Sequence, residues 1–443
     1  MAAPPDLDSP AVGVRDRLRL ALSGSIAIDS MALITTSVLT AVTGIVFWTV
    51  VARLIPPHEL GVQTALLSLM TTAGTVAASG PGNALTAMIP ATPARHRRML
   101  LRRALVTVVV TAGVCGMVAA ALGASTIDGP PPAAAVALVL TGAFVMAFFA
   151  LKDTVLTALS SARRLPALNM AAAVVKIGLV PVLVMITFPQ TAVIATLGSS
   201  VLAITVAVVL IRRSMELEVP AERFVRDHDG RQLVGFALRD GSASLISMGP
   251  LLGAPFLTTW LAGPVQGAIL ALMLPISQGL DYVTIGTATA LTKHLPTAAN
   301  PARMVARIWA ITQAAVLGVA VLVLFAFSPV LFRFFGHDYD HTVLWTTLAL
   351  LCVGSIARVP FVTWAAMLRA TLATRTLLVT NLSMSALSVP VLVICTDRWG
   401  AQGAAAGLAV GSALLGVVGA LQLIANRRRA RRDAASSETE VLR

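Results

Sequence analysis

A chain of 443 residues that is 57% hydrophobic and only 12% charged, with mean hydropathy +0.85, is too apolar for a soluble globular domain, which is closer to half apolar and a quarter charged. Its net charge of +13 sits in short clusters between apolar runs, the pattern that orients membrane segments rather than one that tracks nucleic acid. Three cysteines, Cys115, Cys352 and Cys395, lie inside apolar runs without paired spacing, so neither a disulfide framework nor a metal site is implied.

The opening MAAPPDLDSPAVGVRDRLRLALSG lacks a short apolar core followed by a small-residue cleavage site and is expected to be a cytoplasmic tail. Apolar runs of about 20 residues, each enough to cross about 30 Å of hydrocarbon, then predict helices near 26–52, 60–90, 104–124, 133–160, 167–187, 190–211, 236–260, 264–292, 308–328, 342–370, 376–395 and 401–425. Alternate connections carry the basic residues: Arg15–Arg19, Arg95–Arg103, Arg163–Arg164, Arg212–Arg231, Lys293/Arg303/Arg307, Arg369–Arg375 and the tail NRRRARR, whereas the opposite connections hold Arg53, Arg333 and Arg398. By the positive-inside rule both termini are cytoplasmic in a multi-pass protein of the cell membrane. An even number of spans without strand-like alternation excludes a β-barrel.

The polar stretch RRSMELEVPAERFVRDHDGRQ falls halfway along the chain. It divides the sequence into a tail (1–25), a six-helix bundle (26–211), a cytoplasmic linker (212–235), a second six-helix bundle (236–425) and a basic tail (426–443). A shift of 205–212 residues superposes the halves: PVLV recurs at 181–184 and 390–393, Gly61 falls on Gly267, and Asp29-Ser30 on Asp240-Gly241. Six spans per half give both halves the same orientation. The expected fold is an all-α polytopic membrane protein of about twelve helices, in two pseudo-symmetric six-helix bundles around a central cavity, a transporter architecture.

Charges within a bilayer are costly and mark candidate functional groups. Eight fall inside the predicted spans: Asp29, Lys152, Asp153, Lys176, Arg239, Asp240, Asp281 and Arg358. Lys176, with Asn169 on its face, and Arg358, with Gly354 and Ser355 on its face, are mid-helix and are expected to face a substrate cavity. Arg239 is a further substrate contact or an interfacial anchor, and Gln278 belongs to a polar stripe through Ser277, Asp281 and Thr284. Asp281, Asp29 and Asp153 are candidates for a proton or sodium site, or for neutralising a nearby cation. Lys152, with Phe148 and Phe149 one turn behind it, is expected to snorkel from a lipid-facing position. Gly80-Pro81-Gly82, Pro250, Pro255 and Pro275 are expected to interrupt their helices, either as hinges or as packing kinks.

Catalytic signatures are absent from the sequence. There is no G-x-x-x-x-G-K-[ST] loop and no H-E-x-x-H or nucleophile elbow, so neither a cofactor nor a metal is implied. HDYDH (337–341) contains an Asp-x-Asp spacing used by glycosyltransferases, but on a short turn where a solvated acidic loop is the plainer reading.

The stretch FWTVVARLIPPHELGVQTALLSLMTTAGTVAASGPGNALTAMIPA resembles the first helical hairpin of polysaccharide and lipid-linked oligosaccharide flippases of the multidrug/oligosaccharidyl-lipid/polysaccharide exporter superfamily. The matching residues are Phe47, Trp48, Ala52, Arg53, Leu54, Pro57, Glu59, Gly61, Gly80, Gly82, Asn83, Ala84 and Leu85. The resemblance implies a V-shaped cavity that opens alternately to each side and takes a polyprenyl-pyrophosphate-linked glycan. It implies membrane lipids and glycan polymerase or assembly proteins as partners, and no nucleic acid. Charge-assisted contacts to pyrophosphate suit Lys176 and Arg358, although the eight intramembrane charges sum to zero. The nearest alternative is a multidrug and toxin extrusion (MATE) cation antiporter, in which Asp29 and Asp281 become central. A glycosyltransferase or polymerase lacks its large catalytic loop here, and a non-transporting component of a glycan-synthesis complex stays open. The major facilitator class is disfavoured because ATPARHRRMLLRR lacks its G-x-x-x-D-R signature.

Overall fold

The computed structural model describes residues 25–89, 94–127, 130–159, 164–215, 230–295, 301–335, 339–370 and 374–441, and among them only helices occur. In chain order these are α1 (Ser25–Leu54), α2 (Pro57–Met88), α3 (Ala94–Thr126), α4 (Pro132–Ala158), α5 (Leu165–Met185), α6 (Thr191–Met215), α7 (Gly230–Ala262), α8 (Pro264–His294), α9 (Pro301–Leu322, continued after a π-turn by Ser328–Phe334) and α10 (His341–Ala370). The last run, Thr374–Val441, breaks at Gly400 (φ 57°, ψ −132°) into α11 (374–399) and α12 (401–441). Ten helical runs are long and apolar enough to cross a bilayer. One of them, Arg375–Arg428, is the α11–α12 pair, and α1 adds the shorter apolar stretch Ala41–Leu54. The chain is a multi-pass membrane protein with one helix for each predicted span.

Several helices outrun their apolar cores. The Arg97–Arg103 cluster, expected in a connection, forms the first turns of α3, because arginine, leucine and methionine are strong helix formers. α6 and α7 both run into the expected linker, whose centre, with the first 24 residues, lies outside the described residues. Helix α12 continues through the expected basic tail to Val441. Exposed apolar side chains at Val106, Val110, Val114, Met117 and Val118 follow helical spacing along α3 and form a lipid-facing stripe.

The expected interruptions do not interrupt. Pro81 lies inside α2, Pro250 and Pro255 inside α7, and Pro275 inside α8, all in continuous helix. A proline removes one N–H and strands the carbonyl four residues earlier, and neighbouring helices can re-satisfy that carbonyl. The Ala77 carbonyl stranded by Pro81 lies 3.2 Å from Thr111 Oγ1 of α3, a hydroxyl it shares with Thr107 O of that helix (2.8 Å). The Ile246 carbonyl stranded by Pro250 accepts from Ser385 Oγ of α11 (3.1 Å). The Ile356 carbonyl stranded by Pro360 accepts from Gln313 Nε2 of α9 (3.2 Å). Three prolines are thus helix-to-helix joints. Thr111→Val, Ser385→Ala and Gln313→Leu are each expected to cost about 1–3 kcal/mol by leaving a carbonyl unmet. Thr205→Val, whose hydroxyl serves only its own helix at Val201 O (2.9 Å), is the control for thermal unfolding in detergent.

The two halves pack alike. α2 lies against α3 and α4 as α8 lies against α9 and α10, and α1 meets α5 as α7 meets the α11–α12 segment. A matched pair of hydrogen bonds marks the repeat at the ends remote from the arginine clusters. Gln63 Oε1 in α2 accepts from Ala192 N at the start of α6 (2.7 Å), and Gln266 Oε1 in α8 accepts from Ala401 N at the start of α12 (3.0 Å). The glutamines sit 203 residues apart, three fewer than Gly61 and Gly267, so the second latch engages about one turn nearer the start of its helix.

The bundles meet along α2 and α7. Near one end Thr259 Oγ1 donates to Gly61 O (3.3 Å). In the middle Ser68 enters the α7 ladder, donating to Leu252 O (2.5 Å) and accepting from Phe256 N (3.4 Å). Towards the arginine-rich end Gly80 touches the Ala237 backbone, and Asn83 Nδ2 donates to Asp240 Oδ2 (2.7 Å). Small residues allow this approach: Gly80 lies against α7 of the other bundle and Gly82 against Thr154 of α4, so this stretch is packed helix rather than a gap in α2.

Candidate functional site

The C-terminal bundle holds a polar site halfway along its helices. Thr292 Oγ1 of α8 donates to Ala366 O of α10 (3.3 Å) at a separation of 74 residues. The same offset puts Asp281 level with Ser355 (355 − 281 = 74) and Thr284 level with Arg358 (358 − 284 = 74). The Ser355 hydroxyl and the Arg358 guanidinium are the polar groups facing Asp281. The Gln313–Ile356 hydrogen bond brings α9 to this level, beside Thr312. Thr284 Oγ1, Thr312 Oγ1 and Arg358 Nε are buried without a hydrogen-bond partner. Unmet buried polar atoms are costly; Thr284 lies one turn from Asp281 on α8, and these atoms leave donor and acceptor capacity for a proton, a small cation or water. Asp281 and Arg358, expected on separate helices without a stated link, form one unit. Gln278 is half-buried one turn from Asp281 on α8.

The N-terminal bundle has a cation at the matching place. Lys152 and Arg358 are 206 residues apart, as are Thr157 and Thr363, and Arg163 and Arg369. Lys152 does not snorkel to lipid. It is 3% exposed, its ammonium donates to Asp153 Oδ1 (2.6 Å) and Asn169 Oδ1 (2.8 Å), and it lies 3.9 Å from the Phe149 ring centroid. The phenylalanine that suggested a lipid face supplies a cation–π contact instead. Asp153 is occupied by this ion pair, and Asn169 serves Lys152 rather than the face of Lys176. Both bundles thus hold a cation at this register, buried and paired within α4 in one and half-buried across from Asp281 of α8 in the other.

Lys176 is half-buried on α5 with its ammonium 4.1 Å from the Phe47 ring centroid of α1. No described carboxylate pairs with it. Phe47, itself held edge-on by Trp48 (5.2 Å), is 1% exposed and fixes that position. Arg239 lies on α7 and Asp29 on α1, but the side chains of both lie outside the described residues. Among the described residues no group of three or more His, Cys, Asp or Glu is placed to hold a metal. His337 and Asp338 of the acidic turn also lie outside the described residues; Asp340 Oδ1 accepts from Thr342 N (2.8 Å) and caps α10.

No protein-family model matches the chain, and no protein of curated function matches it in sequence. Its fold does match solved transporters. One is the inward-facing conformation of a multidrug resistance MATE family transporter of the MOP superfamily, at TM-score 0.63 and 15% identity over 90% of this chain and 99% of that one. A second is a ligand complex of the MATE multidrug transporter DinF-BH, at TM-score 0.61 and 13% identity over 96% and 99%. A third is a MOP superfamily transporter from Pyrococcus furiosus, described as having a binding pocket of reverse polarity that suggests a different function, at TM-score 0.55 and 15% identity over 91% and 95%. The architecture assembled above from α1 to α12 is the fold of these transporters.

Proposed function

We propose that the chain is an ion-coupled secondary exporter that moves an amphiphilic substrate across the cell membrane by alternating access of its two bundles, with both termini cytoplasmic. The observation that carries this reading is the Asp281 site. A carboxylate halfway along a membrane-spanning helix, with an arginine across from it and an unmet threonine hydroxyl one turn away, is costly unless it is used. Protonation or cation binding at Asp281 would release Arg358 from its only described counter-charge and so couple ion occupancy to the packing of α8 against α10. The α2–α7 seam, with small residues at its tightest points, is the pivot. The multidrug MATE reading gives the substrate class, an organic cation exchanged for a proton or sodium.

Lys176 favours a second reading. A cation over an aromatic ring without a carboxylate suits an anionic head group, and the first hairpin resembles lipid-linked oligosaccharide flippases. The Pyrococcus furiosus neighbour is described as having a pocket of reverse polarity that suggests a different function on this fold. Under this reading membrane lipids and glycan-assembly proteins are the partners. Purified protein in liposomes decides between them. The first reading expects an imposed proton or sodium gradient to drive loss of a fluorescent organic cation. Gradient-independent protection of a polyprenyl-pyrophosphate glycan, lost in Lys176→Ala, with no cation movement, would overturn it in favour of the second.

A further inference from the structure

The rim away from the arginine clusters carries an open groove of about 530 Å³ where α9 meets α10. A π-turn at Val323–Phe327 builds it. Ser328 N bonds back to Val323 O, one residue further than in an α-helix, and this frees the Leu324 carbonyl. That carbonyl accepts from Ser328 Oγ (2.6 Å) and from the Trp345 indole Nε1 (3.4 Å), tying α10 to α9 and setting the indole in the groove wall. Phe325 stands edge-on to Trp345 (6.3 Å, 65°), and the two are 68% and 40% exposed. The His341 imidazole rests on Phe332 (6.1 Å), and Arg333, His341 and Thr342 are exposed along the floor and mouth. π-turns concentrate at functional positions, and Arg333 is one of three basic residues in the connections on this rim.

We propose that this groove binds the phosphate head group of an anionic phospholipid in the leaflet opposite the arginine-rich rims. Arg333, His341 and the Thr342 hydroxyl take the phosphate, while Phe325 and Trp345 lie against the glycerol and first acyl carbons. Charge complementarity selects the head group: Arg333 has no carboxylate partner among the described residues, and the nearby Asp340 carboxylate is turned to the α10 N-terminus. Interfacial aromatics of this kind sit at the head-group level, where only lipid is abundant. A bound lipid would clamp α9 to α10, the helices joined further along by the Gln313–Ile356 hydrogen bond.

Native mass spectrometry and thermal unfolding of the detergent-solubilised full chain test this with phosphatidylglycerol, phosphatidylcholine and inorganic phosphate. Phosphatidylglycerol is expected to bind and raise the unfolding temperature by mass action, phosphatidylcholine and phosphate to do neither. Arg333→Gln is expected to weaken phosphatidylglycerol about tenfold, the loss of one charge-assisted contact, and Trp345→Leu to weaken it as well. Arg398→Gln, a rim arginine outside the groove, keeps the wild-type response. Equal binding by Arg333→Gln and wild type, an equal response to phosphatidylcholine, or a full response to phosphate alone would each overturn the proposal.

Discussion

Alanine at Gly80 is expected to force the two bundles apart at the arginine-rich end of their seam. A Cβ there would lie 1.9 Å from Ala237 O and 2.9 Å from Gly241 N, and one at Gly61 would lie 1.8 Å from Pro264 O. These obstacles are backbone, so no rotamer change removes them and a helix must shift. Overpacking of this kind costs about 1–3 kcal/mol, and both sites belong at the upper end because α2 is wedged among α3, α4, α7 and α8. At Gly80 the shift would also break the Asn83–Asp240 hydrogen bond one turn away. Gly178 and Gly318, also within helices, have nothing within 4 Å of a built Cβ. Alanine there should be neutral or stabilise by up to about 1 kcal/mol through helix propensity. Unfolding temperatures of the four variants in detergent check both signs, and a Gly80→Ala protein as stable as Gly178→Ala would refute the seam.

The buried pair in α4 is expected to respond asymmetrically. Removing one partner of a buried ion pair costs about 3–5 kcal/mol because the other is stranded, whereas removing both is often near neutral. The side chains here are unequal: Lys152 is 2% exposed and Asp153 35%. Asp153→Asn strands an ammonium with only Asn169 and Phe149 around it and should cost about 3 kcal/mol. Lys152→Met leaves a carboxylate that is only partly enclosed by protein and should cost about 1 kcal/mol. The double variant should resemble Lys152→Met, showing the coupling expected of neighbours. If Lys152→Met proves the more damaging single change, the ammonium is not enclosed as described.

The differences between sequence and structure have a common cause. Twelve helices were legible because span length and arginine placement are local properties of the chain. The partners of polar groups were not, because they come from other helices. Proline at 81, 250 and 360 announces a lost N–H, but nothing local to it announces Thr111, Ser385 or Gln313. Asn169 lies seven residues from Lys176 on one helix face, yet its oxygen is taken by Lys152 of α4. Asp281 and Arg358 were separately conspicuous as mid-helix charges, and only the packing of α8 on α10 makes them one site. The repeat carried a further clue in Lys152 and Arg358, 206 residues apart. The roles of Gln63 and Gln266 became readable only once each was seen to hold the start of a helix in its own half.

The most direct test of the coupling claim measures gradient-driven transport in proteoliposomes for wild type, Asp281→Asn and Arg358→Gln, with Asp340→Asn as a control at the exposed rim. The proposed mechanism predicts that both site variants remain folded and inserted but lose the response to an imposed proton or sodium gradient by at least about tenfold, the loss of one charge-dependent interaction, while the control keeps it. Wild-type coupling in Asp281→Asn would contradict the account, because no other described carboxylate shares that level of the C-terminal bundle.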